Sequence, residues 1–254
     1  MHAPELPPDI EVLVDELAAM PGVVSVVLGG SRAAGEGDAG SDWDLGVYYR
    51  GTPDLAALAR HGAVHPPGSW GRIMNGGAWL TVGDRKVDVL LRDIDVVAHW
   101  SARAQAGEYE VDLLLGYLAG IPTYTLLAEA TIAVALRGTP PSGAEFPAAL
   151  AAACAARWPF HRDFALEHAR MRARRGDVVG TVGQAARAVI EAAHAVLCER
   201  CTWVLNEKRI VERAGFTRAP ALFRRVPDGD GLVAWLASFQ AALAEDQATH
   251  TSAI

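Results

Sequence analysis

The sequence predicts an α+β protein in two parts, a mixed sheet flanked by helices followed by an α-helical bundle. Three observations predict it. Short β-branched runs bounded by glycine turns are concentrated in the first ninety or so residues; alanine, leucine, arginine and glutamate recur at helical spacing from Glu145 onward; and Gly138 to Gly143, with Pro140, Pro141 and Ser142, separates the two patterns. The boundary is placed there, giving domains 1–140 and 141–254. At 254 residues, 51% hydrophobic and 21% charged, the chain can bury a sizeable core without disulfides.

Taken in order, Asp9 to Met20 has apolar residues Ile10, Val12, Leu13, Leu17 and Met20 on helical spacing, with Asp9 as cap, and Pro21-Gly22 stops it. Val23 to Leu28 reads as a buried strand that runs into the tight turn Gly29-Gly30-Ser31, followed by a short helix around Arg32 to Ala34. After the loop Gly35 to Ser41, residues Asp42 to Tyr49 alternate as a second strand, with Asp42, Asp44 and Gly46 on one side and Trp43, Leu45 and Val47 on the other. Ala78 to Val82 and Lys86 to Leu91 form a hairpin across Gly83-Asp84-Arg85, which delivers Asp88 in an otherwise apolar strand. Beyond Arg92 the pattern is read as helical, from Ile94 to Ala106 and then less regularly to Arg137. The second half suggests helices at Glu145–Ala156, Pro159–Arg174, Val178–Cys201, Glu207–Ala214 and Leu232–Glu245.

Bulk charge narrows the partners. A net charge of -7 argues against a strong sequence-independent grip on nucleic acid, which needs clustered Lys and Arg, and suits cationic small molecules better. Lys86 and Lys208 are the only lysines, so each is worth attention. The three cysteines, Cys154, Cys198 and Cys201, make no disulfide framework. Met1 to Ile10 lacks the layout of a signal peptide and no apolar run reaches about 18 residues, so a cytoplasmic location away from membranes is expected.

The chemistry resides in the first domain. Asp42 and Asp44, two apart on a strand, are spaced to clamp a divalent cation while leaving positions open for phosphates. Gly29, Gly30 and Ser31 let backbone N–H groups approach a triphosphate, with a following helix N-terminus adding a favourable dipole. Asp88 sits where an unpartnered buried carboxylate would be costly, so it demands a partner or a metal, and it is a candidate to take the proton of an acceptor hydroxyl.

Leu28-Gly29-Gly30-Ser31, then Ser41-Asp42-Trp43-Asp44-Leu45, then Val87-Asp88-Val89 resembles the nucleotidyltransferases of the DNA polymerase beta superfamily, in the branch of small stand-alone enzymes that modify antibiotics. The resemblance covers about the first ninety residues; the helical half is similar only in kind. It implies transfer of a nucleoside monophosphate, AMP from ATP in the first instance, to a hydroxyl of a small molecule such as an aminoglycoside, with release of pyrophosphate. It also implies two magnesium ions held by Asp42, Asp44 and Asp88, and nucleotide binding by Gly29, Gly30, Ser31 and Ser41, with Lys208 of Asn206-Glu207-Lys208-Arg209 reaching the triphosphate. A homodimer is compatible with this branch. The alternatives are an antitoxin-type protein adenylyltransferase and a non-catalytic nucleotide-binding module.

Overall fold

The computed structural model describes residues 5–35 and 40–251, so Glu36 to Ala39 of the expected loop lie outside the described residues. The chain divides into two compact units. The first runs up to Ala104 and adds Tyr109–Leu115 and Ile121–Glu145; the second comprises Gln105–Glu108, Gly116–Gly120 and the residues from Phe146 onward.

The first unit is built on a six-stranded sheet. Its strands are β1 (Val23–Leu28), β2 (Trp43–Tyr49), β3 (Gly62–His65), β4 (Gly76–Val82), β5 (Arg85–Asp93) and, after the two-residue strands β6 (Val111–Asp112) and β7 (Ile121–Pro122), β8 (Val134–Gly138). The order across the sheet is β3-β4-β5-β2-β1-β8. Among the described residues only β2 and β5 run parallel, so the sheet is mixed and the protein is α+β, as its sequence predicts. Alternation decides the faces. Trp43, Leu45, Val47 and Tyr49 of β2, with Val87, Val89 and Leu91 of β5, enter one core together with Ile10, Leu13, Val14 and Leu17 of helix α1 (Pro8–Ala19). The opposite face carries Asp44, Gly46 and Tyr48 of β2 and Asp88, Leu90 and Arg92 of β5. At the far end of these strands, buried Arg92 makes a two-pronged ion pair with Glu129, at 2.6 and 2.7 Å, from helix α4 (Thr125–Ile132).

Two sheet edges differ from the sequence reading. β3 was not anticipated, because Gly62–His65 is too short and too exposed to alternate clearly. The region read as helical up to Arg137 ends instead in β8, which pairs with β1. The hairpin is tighter than expected: Val82 pairs with Arg85, so the turn is Gly83-Asp84 alone. The short helix α2 covers Gly30–Ala33, and helix α3 covers Ile94–Gln105.

The second unit packs α5 (Ala148–Ala173), α6 (Val178–Glu199), α7 (Ile210–Arg213), α8 (Arg218–Leu222) and α9 (Gly231–Thr251) around one core. Alanines at 165, 169, 173, 185, 188 and 192 line that core and let the long helices approach closely. The two helices expected on either side of Pro159 are one, because proline removes only one hydrogen bond, and the carbonyl it strands belongs to exposed Ala155, where solvent can satisfy it. The helix expected over Glu207–Ala214 shrinks to α7, since Glu207 is used elsewhere: its carboxylate accepts the N–H groups of Leu118 and Ala119 at 2.8 and 2.7 Å. None of the three cysteines forms a disulfide. Among the described residues no helix is long and apolar enough to cross a membrane.

Candidate active site

The parallel register of β2 and β5 sets Asp44 directly opposite Asp88. Both side chains are half-buried and share the sheet face away from the α1 core, where adjacent strands stand about 4.8 Å apart. Asp44 lies near the start of β2 and Asp88 near the middle of β5, four residues before Arg92.

The glycine turn abuts this pair. The Gly29 N–H donates to the Asp44 carbonyl at 2.8 Å, which ties the end of β1 to β2. Gly30 has a left-handed φ of 61°, and a Cβ there would collide with the Asp44 carboxylate. Glycine is therefore required at 30 on two counts, backbone conformation and close approach. Gly29 commits its N–H to Asp44, while the N–H groups of Gly30 and Ser31 open a helical turn and have no acceptor within it. The helix itself is one turn of four residues, so little of the expected macrodipole is present.

Arg32, which sequence reasoning did not select, organises the entry to β2. Its Nε donates to the carbonyls of Ser41 and Asp42, both at 3.2 Å, and its Nη2 donates to Ser41 at 2.7 Å. Its guanidinium lies over the Trp43 ring at 4.3 Å. Ser41 and Asp42 thus hold their places through their backbones, with Asp42 exposed immediately before β2. A cavity of about 440 Å³ opens here, lined by Arg32, Ser41, Asp42, Arg85 and Lys86 among others. Lys86 is exposed and precedes Asp88 by two residues, so it shares that face of β5. Its only sequence signal was the scarcity of lysine. Lys208 belongs to the second unit; it is exposed, and its N–H donates to the Asn206 Oδ1 at 2.9 Å.

Among the described residues no group of three or more His, Cys, Asp or Glu is gathered tightly enough to hold a metal ion. Asp44 and Asp88 therefore offer two carboxylates rather than a closed cage. That donor set fits magnesium, which takes one or two carboxylates and fills its remaining positions with water and substrate phosphates.

Comparison with known proteins agrees with this chemistry. Residues 10–98 match the family model described as a nucleotidyltransferase domain, a span that holds the glycine turn and all three acids. No curated protein matches the chain. Among solved structures, a nucleotidyltransferase-like protein from Exiguobacterium sibiricum 255-15 is 11% identical with a TM-score of 0.41, covering 95% of this chain and 74% of that one. An aminoglycoside 6-adenyltransferase from Bacillus subtilis is 9% identical with a TM-score of 0.30, covering 97% and 91%. Residues 10–98, about a third of the chain, are similar to a nucleotidyltransferase domain.

Proposed function

We propose that the enzyme moves a nucleoside monophosphate from a nucleoside triphosphate, ATP in the first instance, to a hydroxyl of a small acceptor. The observation that carries this is the Asp44–Asp88 register pair against a turn whose Gly30 leaves no room for a side chain beside Asp44. The triphosphate lies along Gly30 and Ser31, whose N–H groups donate to its oxygens, with Ser41 and Lys86 bordering the adjoining cavity. The acceptor oxygen attacks the α-phosphorus as the bond to the bridging oxygen of pyrophosphate breaks. Asp88 receives the hydroxyl proton, and the N–H groups of Gly30 and Ser31 hold the phosphates in place. Magnesium bound by Asp44 and Asp88, with Asp42 available at the strand entrance, would neutralise phosphate charge in both ground and transition states. Lys208 is assigned to the triphosphate by resemblance alone.

A small acceptor is favoured over nucleic acid by the net charge of -7. The test is pyrophosphate release from ATP, GTP, CTP and UTP with magnesium against a panel of aminoglycosides, lincosamides and simple polyols. Release with one acceptor, reduced at least about a thousandfold in Asp44→Asn and Asp88→Asn, is the expected result. Unchanged turnover in Asp44→Asn refutes the site, and silence across the panel transfers the reading to a protein acceptor or a binding module.

A further inference from the structure

We propose that Trp79, braced by Trp70 and His65, is the stacking platform on which this site holds the ring of its acceptor, and so sets acceptor specificity. The inference rests on the nucleotidyl-transfer reading above. Its geometric basis is a row of residues across the sheet. Trp79 of β4 pairs with Asp88 of β5, Asp88 pairs with Asp44 of β2, and Asp44 receives the Gly29 N–H at the end of β1. The acid pair therefore lies between the glycine turn and Trp79. With strands about 4.8 Å apart, the Trp79 backbone is one strand from Asp88 and about 10 Å from Asp44, on the side away from the turn that takes the phosphates. In a displacement at phosphorus the attacking and leaving groups lie roughly in line on opposite sides, so the flank opposite the pyrophosphate is the acceptor's.

Trp79 is built to be used. It is 55% exposed although it lies within a strand, and its neighbours in β4, Ala78 and Leu80, are buried. Trp70 stacks on it with ring centroids 5.3 Å apart and planes 24° apart, and His65 meets it edge-on at 4.4 Å. The Trp70 ring occupies the space over Gly77, where an added Cβ would come within 2.7 Å of it. The loop that carries Trp70 is fixed by Asn75, whose backbone carbonyl accepts the Trp70 N–H and whose Oδ1 accepts the Gly68 N–H, both at 3.0 Å. Asn75 in turn donates from Nδ2 to the Tyr49 hydroxyl at 2.7 Å. Tyr49 belongs to the α1 core, whereas the rings of Trp79, Trp70 and His65 take no part in it.

An indole face one strand from a carboxylate pair suits a ring with hydroxyls along its edge and an ammonium group over or beside the indole. A nucleobase would also stack on indole, so the test must separate donor from acceptor. The whole chain is assayed for pyrophosphate release with magnesium and ATP against kanamycin, lincomycin and myo-inositol, and each compound alone is titrated calorimetrically into wild type, Trp79→Ala and Trp79→Phe. The expected result is an acceptor KM and Kd about tenfold higher in Trp79→Ala, the size of one stacking or cation–π contact, with kcat and the ATP KM within about twofold and most of the loss recovered in Trp79→Phe. Trp79→Leu replaces the alanine variant should that one unfold. An ATP KM that rises while the acceptor KM stays constant overturns the proposal in favour of base stacking, and unchanged acceptor constants in an active enzyme overturn it outright. Wild-type silence with every acceptor overturns it together with the small-acceptor reading, a result distinguishable from the other two.

Discussion

Gly29 and Gly30 are neighbours in one turn, yet the structure expects opposite consequences from the same substitution. At Gly30 an alanine is strained twice: φ is 61°, and its Cβ collides with the Asp44 carboxylate. The left-handed conformation costs about 1–2 kcal/mol. Driving Asp44 off its rotamer adds about 0.5–1.5 kcal/mol, so Gly30→Ala should lose about 1.5–3.5 kcal/mol. At Gly29 φ is -118°, in the extended region, and the nearest atoms to an added Cβ are the Asp44 carbonyl oxygen at 3.7 Å and its Cβ at 4.0 Å, ordinary contacts. Gly29→Ala should be neutral or up to about 1 kcal/mol stabilising through the unfolded chain. Urea unfolding of the two variants beside wild type measures the contrast. Activity follows the same split, because a displacement of Asp44 near 1 Å costs kcat about a hundredfold in Gly30→Ala, while Gly29→Ala stays within about threefold. Equal destabilisation of the two variants, or a Gly30→Ala enzyme with normal stability and kcat, would refute the placement of Gly30 against Asp44.

Two further expectations concern the buried charges. Arg92 is 2% exposed and held by Glu129 and by the carbonyls of Met74 and Leu91. Glu129→Leu strands the guanidinium and should cost about 3–5 kcal/mol in urea unfolding, most of it recovered in the Arg92→Met/Glu129→Leu double variant; no recovery would mean that the pair is not the cause. His194 is buried, stacked on Trp158 at 4.2 Å, and pushed down to about 3 by burial and then by the charge of Arg213. As pH falls through 6.5 the unfolded chain takes up a proton that the fold refuses, so stability drops by about 1.4 kcal/mol per pH unit until the folded pKa is reached. Glu191, raised by burial against the pull of Arg187, protonates earlier in the fold than in the unfolded chain and opposes part of that slope. Replacing His194 with Phe should therefore flatten the loss between pH 6.5 and 4.5 by about 2–3 kcal/mol, and parallel curves for the two proteins would refute the assignment.

Legibility in the sequence tracked the range of the interaction. The α1 helix, β1, β2 and the β4–β5 hairpin announce themselves through local periodicity and turns, and each forms near its expected bounds. β8 did not, because Val134–Gly138 is a strand only by virtue of pairing with β1, more than a hundred residues earlier. Pro159 misled in the opposite sense: its local rule breaks a helix, but packing of the apolar residues of α5 against α6 outweighs one lost hydrogen bond on an exposed turn. Glu207 shows a third kind of failure, since a residue that looks helical in isolation is captured by two N–H groups about ninety residues away.

The same division runs through the site. Residue types and alternation are local, so the two-residue spacing of Asp42 and Asp44 and the interruption of an apolar strand by Asp88 are visible in the sequence, although β2 itself begins only at Trp43 and leaves Asp42 outside it. Register is not local. No spacing rule places Asp88 opposite Asp44 rather than two residues along, and a slip of one residue would turn it to the α1 core. Trp79 shows how much follows from that register. In sequence it is one apolar residue among Ala78, Leu80 and Val82, indistinguishable from core; its parity places it on the acid face, and pairing with Asp88 places it beside the acid pair. The composition that makes this tolerable is itself readable afterwards. Gly77 leaves room for Trp70, Gly30 leaves room for the Asp44 carboxylate, and Gly46 presents no side chain next along the face. This row of bulky, charged and bare positions across β4, β5 and β2 exists only once the strands are paired.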